Sequence, residues 1–254
     1  MIRGHRVPVK IEIDENREER LETYWNDDGF GLRMIADYVC DLFRVNLFAV
    51  ILKKEHRLMF DWLHKRQSFV TILGIGDEEQ ISDEDYKYVI SKSDSDLLKS
   101  CARLSKNFRM ENLNKKGEFT IFQNCPWITI ENLMTVDAPR IDVLSGKLFT
   151  NQDVNRFLKH WMKGGSPRLK QILMDLENYN EEAFLEGINV QEGAPGKRIY
   201  RGFYEFDFLV PNTVHLVRED GTKASFGISA WGFFLAVWPD YSGRTFESFD
   251  FYDV

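Results

Sequence analysis

The sequence predicts an α/β fold: a leucine-rich-repeat-like array of alternating strands and helices with a parallel sheet, capped by a small C-terminal antiparallel β unit. Two observations predict it. Apolar residues over 31–174 alternate between helical spacing and the short continuous runs of buried strands. Strand markers also recur every 22, 28, 22, 22 and 28 residues, which is the spacing of leucine-rich repeats. The markers are Leu47, Phe69, Leu97, Phe119, Ile141 and Leu169.

A single helix between successive strands predicts how those strands pair. Parallel strands need a crossover of a dozen or more residues, which one helix supplies, and such crossovers are right-handed. The full signature L-x-x-L-x-L-x-x-N is absent, so the repeats are degenerate. The alternative fold is a doubly wound open sheet, which carries helices on both faces.

The elements of the first two thirds follow from apolar spacing. From Gly31 to Phe43, apolar residues recur at the i, i+3, i+4, i+7 positions of a half-buried helix. The remaining predictions, in order, are a strand at Leu47–Leu52, a helix at Leu58–Arg66, a strand at Ser68–Ile75, a helix after Ser82, an ambiguous segment at Leu97–Leu104, a strand at Phe119–Phe122, a helix at Ile130–Val136, a strand at Ile141–Leu144, a helix after Thr150 and a strand at Leu169–Met174.

Two of these helices begin with the side chains of a capping box. Asp85 stands three residues after Ser82, and Asp153 stands three residues after Thr150. In this arrangement the hydroxyl and the carboxylate each accept a hydrogen bond from a free N–H group of the first turn. The second helix is predicted to end at Gly164-Gly165, where glycine permits a left-handed stop.

After residue 178 the pattern changes to short strands. The predictions are a helix at Glu182–Ile188 and strands at Tyr204–Val210, Val214–Arg218, Thr222–Ser229 and Phe233–Trp238. A repeat array needs a cap of this kind, because its terminal unit otherwise exposes the core. We therefore divide the chain into a charged lead-in over residues 1–20, a repeat-like α/β domain over 21–190, and a β-rich cap and tail over 191–254.

Composition and charge argue against several functional classes. The net charge of −7 does not suit a nucleic-acid partner, which needs a basic face. No apolar run is long enough for a membrane span, and the N-terminus lacks the apolar stretch of a secretory signal. The three cysteines Cys40, Cys101 and Cys125 form neither a disulfide framework nor a zinc motif. We expect a protein of the cytoplasm or nucleus, without cofactor or metal.

The residues offer little evidence of catalysis. Gly74-Ile75-Gly76 follows a strand, but a third glycine is missing and three acids, which would repel a phosphate, come next. No serine or cysteine stands in a nucleophile-elbow frame such as G-x-S-x-G. A small hydrolase or transferase that uses His64 or His160 as its base is the alternative of a different class. His160 falls off the apolar stripe of its helix and is expected to face solvent.

Several collinear runs carry a resemblance to a known family. They are Gly31–Phe43, Ile81–Tyr88, Trp127–Thr135 (WITIENLMT), Leu148–Lys170 (LFTNQDVNRFLKHWMKGGSPRLK) and Arg218–Thr222 (REDGT). In these runs the chain resembles the F-box associated domain of type 2, which occurs in a large set of nematode proteins. The resemblance extends over about Leu21–Trp238.

The resemblance implies a protein-binding domain without catalytic residues. In similar proteins an N-terminal F-box docks on the adaptor of a cullin-based ubiquitin ligase, and the associated domain selects the substrate. Residues 1–20 are charged and too short to form an F-box. Ligase components are therefore expected as partners only where an F-box is supplied elsewhere. The alternative is a competitor or scaffold that binds the same targets without delivering them.

The partner surface is predicted on the outward side chains of the strands. Successive side chains of a strand point to opposite faces, and we place Phe119, Ile121, Ile141 and Val143 inward. The outward set that results is Thr120, Phe122, Arg140, Asp142 and Lys170. The aromatic tail around Phe246 and Phe251 is interpreted as an edge strand, with a docking peptide as the alternative.

Overall fold

The computed structural model describes residues 4–13, 19–76, 80–144, 149–193, 195–203, 207–229, 232–247 and 251–252. The helices in these ranges are α1 Asp28–Phe43, α2 His56–Arg66, α3 Asp83–Lys92, α4 Ile130–Met134, α5 Asn151–Met162 and α6 Glu181–Leu185. The strands are β1 Val9–Ile13, β2 Glu19–Thr23, β3 Ala49–Leu52, β4 Val70–Ile75, β5 Ser95–Ser100, β6 Phe119–Gln123, β7 Arg140–Leu144, β8 Gln171–Met174, β9 Gln191–Glu192, β10 Lys197–Arg201, β11 Asp207–Pro211, β12 Val214–Val217, β13 Lys223–Ser229, β14 Gly232–Val237 and β15 Phe251–Tyr252.

One large sheet organises the described chain. Its ten strands lie in the order β3-β4-β5-β6-β7-β8-β14-β13-β12-β9. The first six are parallel and follow the order of the sequence, whereas the last four are joined by antiparallel pairs. The order of the parallel strands does not reverse, unlike that of a doubly wound sheet. The fold is therefore a mixed α/β fold with a large, mostly parallel sheet; its leucine-rich-repeat-like character stays a prediction.

The core lies on one face of the parallel strands. Leu73, Leu98, Thr120 and Ile141 lie side by side across four strands, and all of them are buried. The apolar strand residues on this face share one hydrophobic cluster with residues of the helices, among them Phe157 of α5. We call this face the helix side. The alternate residues of the same strands point to the opposite side, which we call the open face.

A small antiparallel sheet covers only the antiparallel part of the open face. Its order is β11-β10-β15. Tyr200 of β10 is buried against Ala236 and Trp238, and its hydroxyl donates to the carbonyls of Lys170 at 2.8 Å and Val237 at 3.1 Å. The strand interpretation of the tail is confirmed for β15, which pairs with β10. The parallel part of the open face is left without this cover.

Helix α5 begins and ends as its sequence predicts. The Thr150 hydroxyl accepts from the Asp153 N–H at 3.1 Å, and the Asp153 carboxylate accepts from the Thr150 N–H at 3.0 Å. At the other end Gly164 has φ 88°, the left-handed stop. In α3 the Ser82 hydroxyl likewise accepts from Asp85 N–H at 3.0 Å. These local signals depend on neighbouring residues alone, which is why they could be predicted.

The α5 capping box leads to a stability prediction. Thr150→Ala removes the acceptor for the Asp153 N–H and should lower the free energy of unfolding by about 1 kcal/mol. Thr150→Ser keeps the hydroxyl and is the matched control. Urea denaturation of both variants measures the difference. Equal midpoints for the two variants would show that the hydroxyl does not stabilise the helix.

Candidate functional site

Apolar side chains line the uncovered part of the open face. The strand registers place Ile72 and Leu97 in one row, which ends at the covered Phe119, and Ile51 and Ile121 in the next. Ile51 is 62% exposed, and Ile72, Leu97 and Ile121 are partly exposed. This sheet packs its helices on the other face. Contiguous apolar side chains on the solvent side of such a sheet are typical of an interaction site.

A charged pair lies where the uncovered part of this face meets the small sheet. Arg140 and Asp142 are two residues apart on β7, so both point to the open face. The Arg140 guanidinium donates to the Asp142 carboxylate through Nε at 3.1 Å and Nη2 at 2.8 Å, and it lies 4.4 Å from the centroid of the Phe119 ring. A bidentate ion pair stacked on an aromatic ring holds the arginine in one geometry. The Arg140 side chain is therefore held in place before any partner binds.

Aromatic residues form a wall where the small sheet begins. The Phe203 ring lies 5.3 Å from Phe119 and 5.6 Å from Tyr241. Burial raises the pKa of Tyr241, the positive charge of Arg140 opposes the rise, and the negative charge of Asp142 adds to it. The Tyr241 hydroxyl is buried without a hydrogen-bond partner among the described residues. The wall closes one side of the open face beside the charged pair.

Two of the five predicted partner residues lie on the open face and three do not. Arg140 and Asp142 point outward as predicted. The predictions for Phe122 and Thr120 are wrong, because both are buried on the helix side at 0% and 2% exposure. The register pairs Phe122 with Val143, which belongs to the core. A one-residue difference in register exchanges the two faces of a strand, so Ile121 is outward instead.

Lys170 also lies away from the open face. It precedes β8, at the amino end of the parallel strands, and its backbone N–H donates to the carbonyl of Pro139 at 2.8 Å. Its ammonium group donates to the carbonyl of Pro239, and burial lowers the pKa of Lys170. The predicted outward position is wrong because this residue lies before the strand, where alternation of side chains does not apply.

Helix α1 exposes one side of the stripe that the sequence predicts to be half-buried. Leu32, Val39 and Phe43 lie on this side and are 58%, 40% and 67% exposed. Cys40 of the same stripe is 4% exposed, so the helix is half-buried as predicted. Phe48, which precedes β3, is 64% exposed. We call the four exposed residues Leu32, Val39, Phe43 and Phe48 the apolar end.

The histidines of the hydrolase alternative pack against neighbouring side chains of their own regions. His64 stacks on Phe60 in α2, with ring centroids 5.9 Å apart. His160 is half-buried rather than solvent-facing, its pKa is lowered by burial, and its Nε2 lies 3.5 Å from the Ser166 hydroxyl. Gly165 accommodates the His160 ring, because a Cβ there would lie 2.2 Å from Nε2.

The described residues contain neither a candidate metal cluster nor a candidate membrane span. No group of three or more His, Cys, Asp or Glu side chains in the described ranges is arranged to hold a metal ion. None of the described helices is both long and apolar enough to cross a bilayer. The open face and the apolar end are thus the features of the described chain that call for a functional explanation.

Comparison with known proteins bears on that explanation. Residues 98–174 match the family described as F-box associated. The resemblance to this family is confirmed. The chain is also 21% identical over 240 residues to the Skn-1 dependent zygotic transcript 15 protein of Caenorhabditis elegans, with 84% of this chain and 67% of that relative covered. No solved structure matches the chain.

The matched segment coincides with the centre of the open face. Residues 98–174 run from β5 to β8 and contain Phe119, Arg140 and Asp142. Neither the description of the family nor the name of the relative denotes an enzyme. An F-box associated segment indicates a role in protein interaction.

Proposed function

We propose that this chain is a non-catalytic protein-interaction domain that recognises target proteins for ubiquitin-dependent degradation, in the cytoplasm or nucleus. The observation that carries the proposal is the uncovered part of the open face, where partly exposed Ile72, Leu97 and Ile121 lie on the strands beside the Arg140–Asp142 pair of the F-box associated segment. Sheet arrays that pack helices on one face use the other face to bind partners. We propose that this sheet is such a degenerate, leucine-rich-repeat-like array.

The composition of the open face suits a protein partner. Binding energy at protein interfaces is concentrated in aromatic and arginine side chains surrounded by apolar contacts that exclude water. Arg140 is 20% exposed and is already fixed by Asp142 and Phe119. A side chain held in place before binding loses little conformational entropy on association. The Arg140–Asp142 pair therefore provides an anchor for the partner, and the apolar rows of the open face provide the surface area that binding would bury.

The apolar end supplies a second, separate surface. The exposed side chains of α1 and Phe48 lie in the first fifth of the chain, next to the edge strand β3. We propose that ligase components, or an F-box supplied by another chain, cover the apolar end while the target occupies the open face. This arrangement joins target recognition and ligase attachment in one domain.

Paired variants test the proposal. Ile51→Glu with Lys99→Glu alters two exposed side chains of the open face. Ile228→Glu with Lys65→Glu makes the same chemical changes on exposed side chains elsewhere. Each chain is expressed with a tag in nematode cells, and crosslinked partners are quantified by mass spectrometry. We expect the first pair to lower recovery of the targets at least tenfold and the second pair to leave it unchanged.

The lifetime of the recovered targets separates the proposal from its alternative. Overexpression of the wild-type chain should shorten target lifetimes if the chain delivers them to a ligase. A competitor that binds without delivering them would lengthen those lifetimes. Recovery of neither a cullin complex nor any partner that depends on the open face would refute the proposed function.

A further inference from the structure

A pocket of about 430 Å³ lies at the carboxyl ends of β5 and β6. Its lining includes Arg103, Lys106, Arg109, Asn124 and Trp127. In open α/β sheets, the crevice outside the carboxyl ends of the strands is where ligands bind. The volume is within the usual range for a site that binds a small group or a side chain.

The charges of this pocket are opposite in sign to those of the whole chain. Arg103, Lys106 and Arg109 are exposed, and none of them forms an ion pair with a carboxylate of the described residues. The lining contains no acidic residue. Asp83 is hydrogen-bonded nearby to the Ser105 N–H at 3.0 Å, and hydrogen bonds from Ser105 lower the pKa of that carboxyl. Three cations that form no ion pair within the described residues therefore lie beside one pocket in a chain of net charge −7.

We propose that this pocket binds an acidic segment of the protein partner, with carboxylate side chains held by Arg103, Lys106 and Arg109. The proposal rests on the proposed function, because it adds a second contact for the same partner. Gln123 ends β6 on the open face, and Asn124 follows it into the pocket lining. A peptide that crosses the open face along β6 would reach the three cations directly.

A peptide suits this pocket better than a nucleic acid. Nucleic-acid sites need a basic surface that follows a long backbone of phosphates. Here the cations of the pocket are confined to seven residues of chain, and the adjoining open face presents Ile72, Leu97 and Ile121 with the exposed cation Lys99 among them. A short run of carboxylates followed by apolar residues would match both surfaces. Opposite charge also speeds encounter and suppresses wrong partners.

The test uses defined probes and the full chain. Binding of fluorescein-labelled hexaglutamate is measured by anisotropy at low salt and compared with labelled hexaglutamine and a labelled single-stranded oligonucleotide of six nucleotides. Arg103→Gln with Lys106→Gln removes two of the cations, and Lys65→Gln with Lys163→Gln removes two exposed cations elsewhere. We expect the first pair to weaken hexaglutamate binding at least fivefold and the second pair to change it less than twofold.

Three acids, Asp77, Glu78 and Glu79, follow β4 in the sequence and lie outside the described residues. The titration is therefore repeated in a chain with all three neutralised. Absence of hexaglutamate binding in both backgrounds, or tighter binding of the oligonucleotide, would overturn the inference. The recovery of cellular partners gives a further test. If it requires Ile51 and Lys99 but is unaffected by the Arg103 and Lys106 changes, the inference is overturned and the proposed function stays in place.

Discussion

Replacing Phe122 by alanine should destabilise the fold by about 3–5 kcal/mol, a large fraction of the stability of a typical domain. Phe122 is 0% exposed on the helix side and contacts Trp127 with ring centroids 6.2 Å apart. Trp127 in turn packs edge-on against Tyr86 and Phe108, at 5.6 Å and 5.2 Å. Truncation would remove one ring from this four-ring cluster and leave a cavity that the rigid neighbours cannot fill.

The adjacent residue provides the control. Ile121 points to the open face and is partly exposed, so Ile121→Ala should cost less than about 1.5 kcal/mol. Urea denaturation monitored by tryptophan fluorescence compares the two variants. A smaller decrease in the free energy of unfolding for Phe122→Ala than for Ile121→Ala would mean that β6 has the opposite register. If Phe122→Ala behaves as expected, it cannot serve as a test of partner binding, because the variant perturbs the whole fold.

The error at Phe122 shows why the register of β6 could not be predicted from the sequence. The strand reads Phe119-Thr120-Ile121-Phe122, so apolar side chains stand on both faces and alternation gives no clear choice. Phe119 is only 6% exposed although it points to the open face, because Phe203 and Arg140 cover it. That cover comes from a residue 84 positions later in the chain. The local pattern predicts that this segment is a strand, but it does not predict which side of the strand faces the core.

Sequence signals were reliable where the relevant contacts are local. The caps of α5 and the alternation of helix and strand through β8 depend on residues within one or two turns, and both are present. Strand β10 at Lys197–Arg201 was missed because Lys-Arg-Ile-Tyr-Arg is mostly polar. It forms because Tyr200 inserts into the cluster around Trp238. Whether such a polar segment forms a strand depends on tertiary packing.

The apolar end and the basic pocket were predictable to different degrees. The α1 stripe was recognised, but its exposure depends on which elements pack against it, and the sequence does not contain that information. The pocket cations Arg103, Lys106 and Arg109 are close in sequence, but the segment was ambiguous between strand and helix. Only the end of β5 at Ser100 places them together beyond the sheet. A basic cluster directly after a parallel strand is the signal that was available.

The second large effect concerns Lys115, which is 6% exposed in the loop before β6. Its ammonium group donates to the carbonyl of Ser93 at 2.6 Å and to the hydroxyl of Ser93 at 3.1 Å. No carboxylate of the described residues forms an ion pair with it; the charge of Asp94 only partly offsets its burial. Burial therefore lowers the pKa of Lys115 from 10.5 to about 8. A buried cation without a counter-ion destabilises the folded state.

The direction of the pH dependence follows from the proton balance. Between pH 8 and 10.5 the unfolded chain holds a proton on Lys115 that the folded chain has released. The destabilisation by the buried charge is therefore relieved, and the free energy of unfolding rises, as pH rises through this range. Each pKa unit is worth about 1.4 kcal/mol, and the whole effect is about 3 kcal/mol. Cys125 acts in the opposite direction. Burial raises its pKa from 9.0 to about 12, and its contribution to stability falls as pH rises above 9.

A comparison with Lys115→Met isolates the lysine from the other titrating groups. Methionine keeps the apolar length of the side chain but carries no charge, so the variant should lack the stabilisation that the wild type gains with pH. From pH 7 to pH 10, the unfolding free energy of the wild type should rise by about 2–3 kcal/mol relative to the variant. Urea midpoints at closely spaced pH values measure this difference, and Cys125, common to both chains, cancels. A constant difference between the two chains over this range would show that Lys115 has an ordinary pKa and that its ammonium group is solvated.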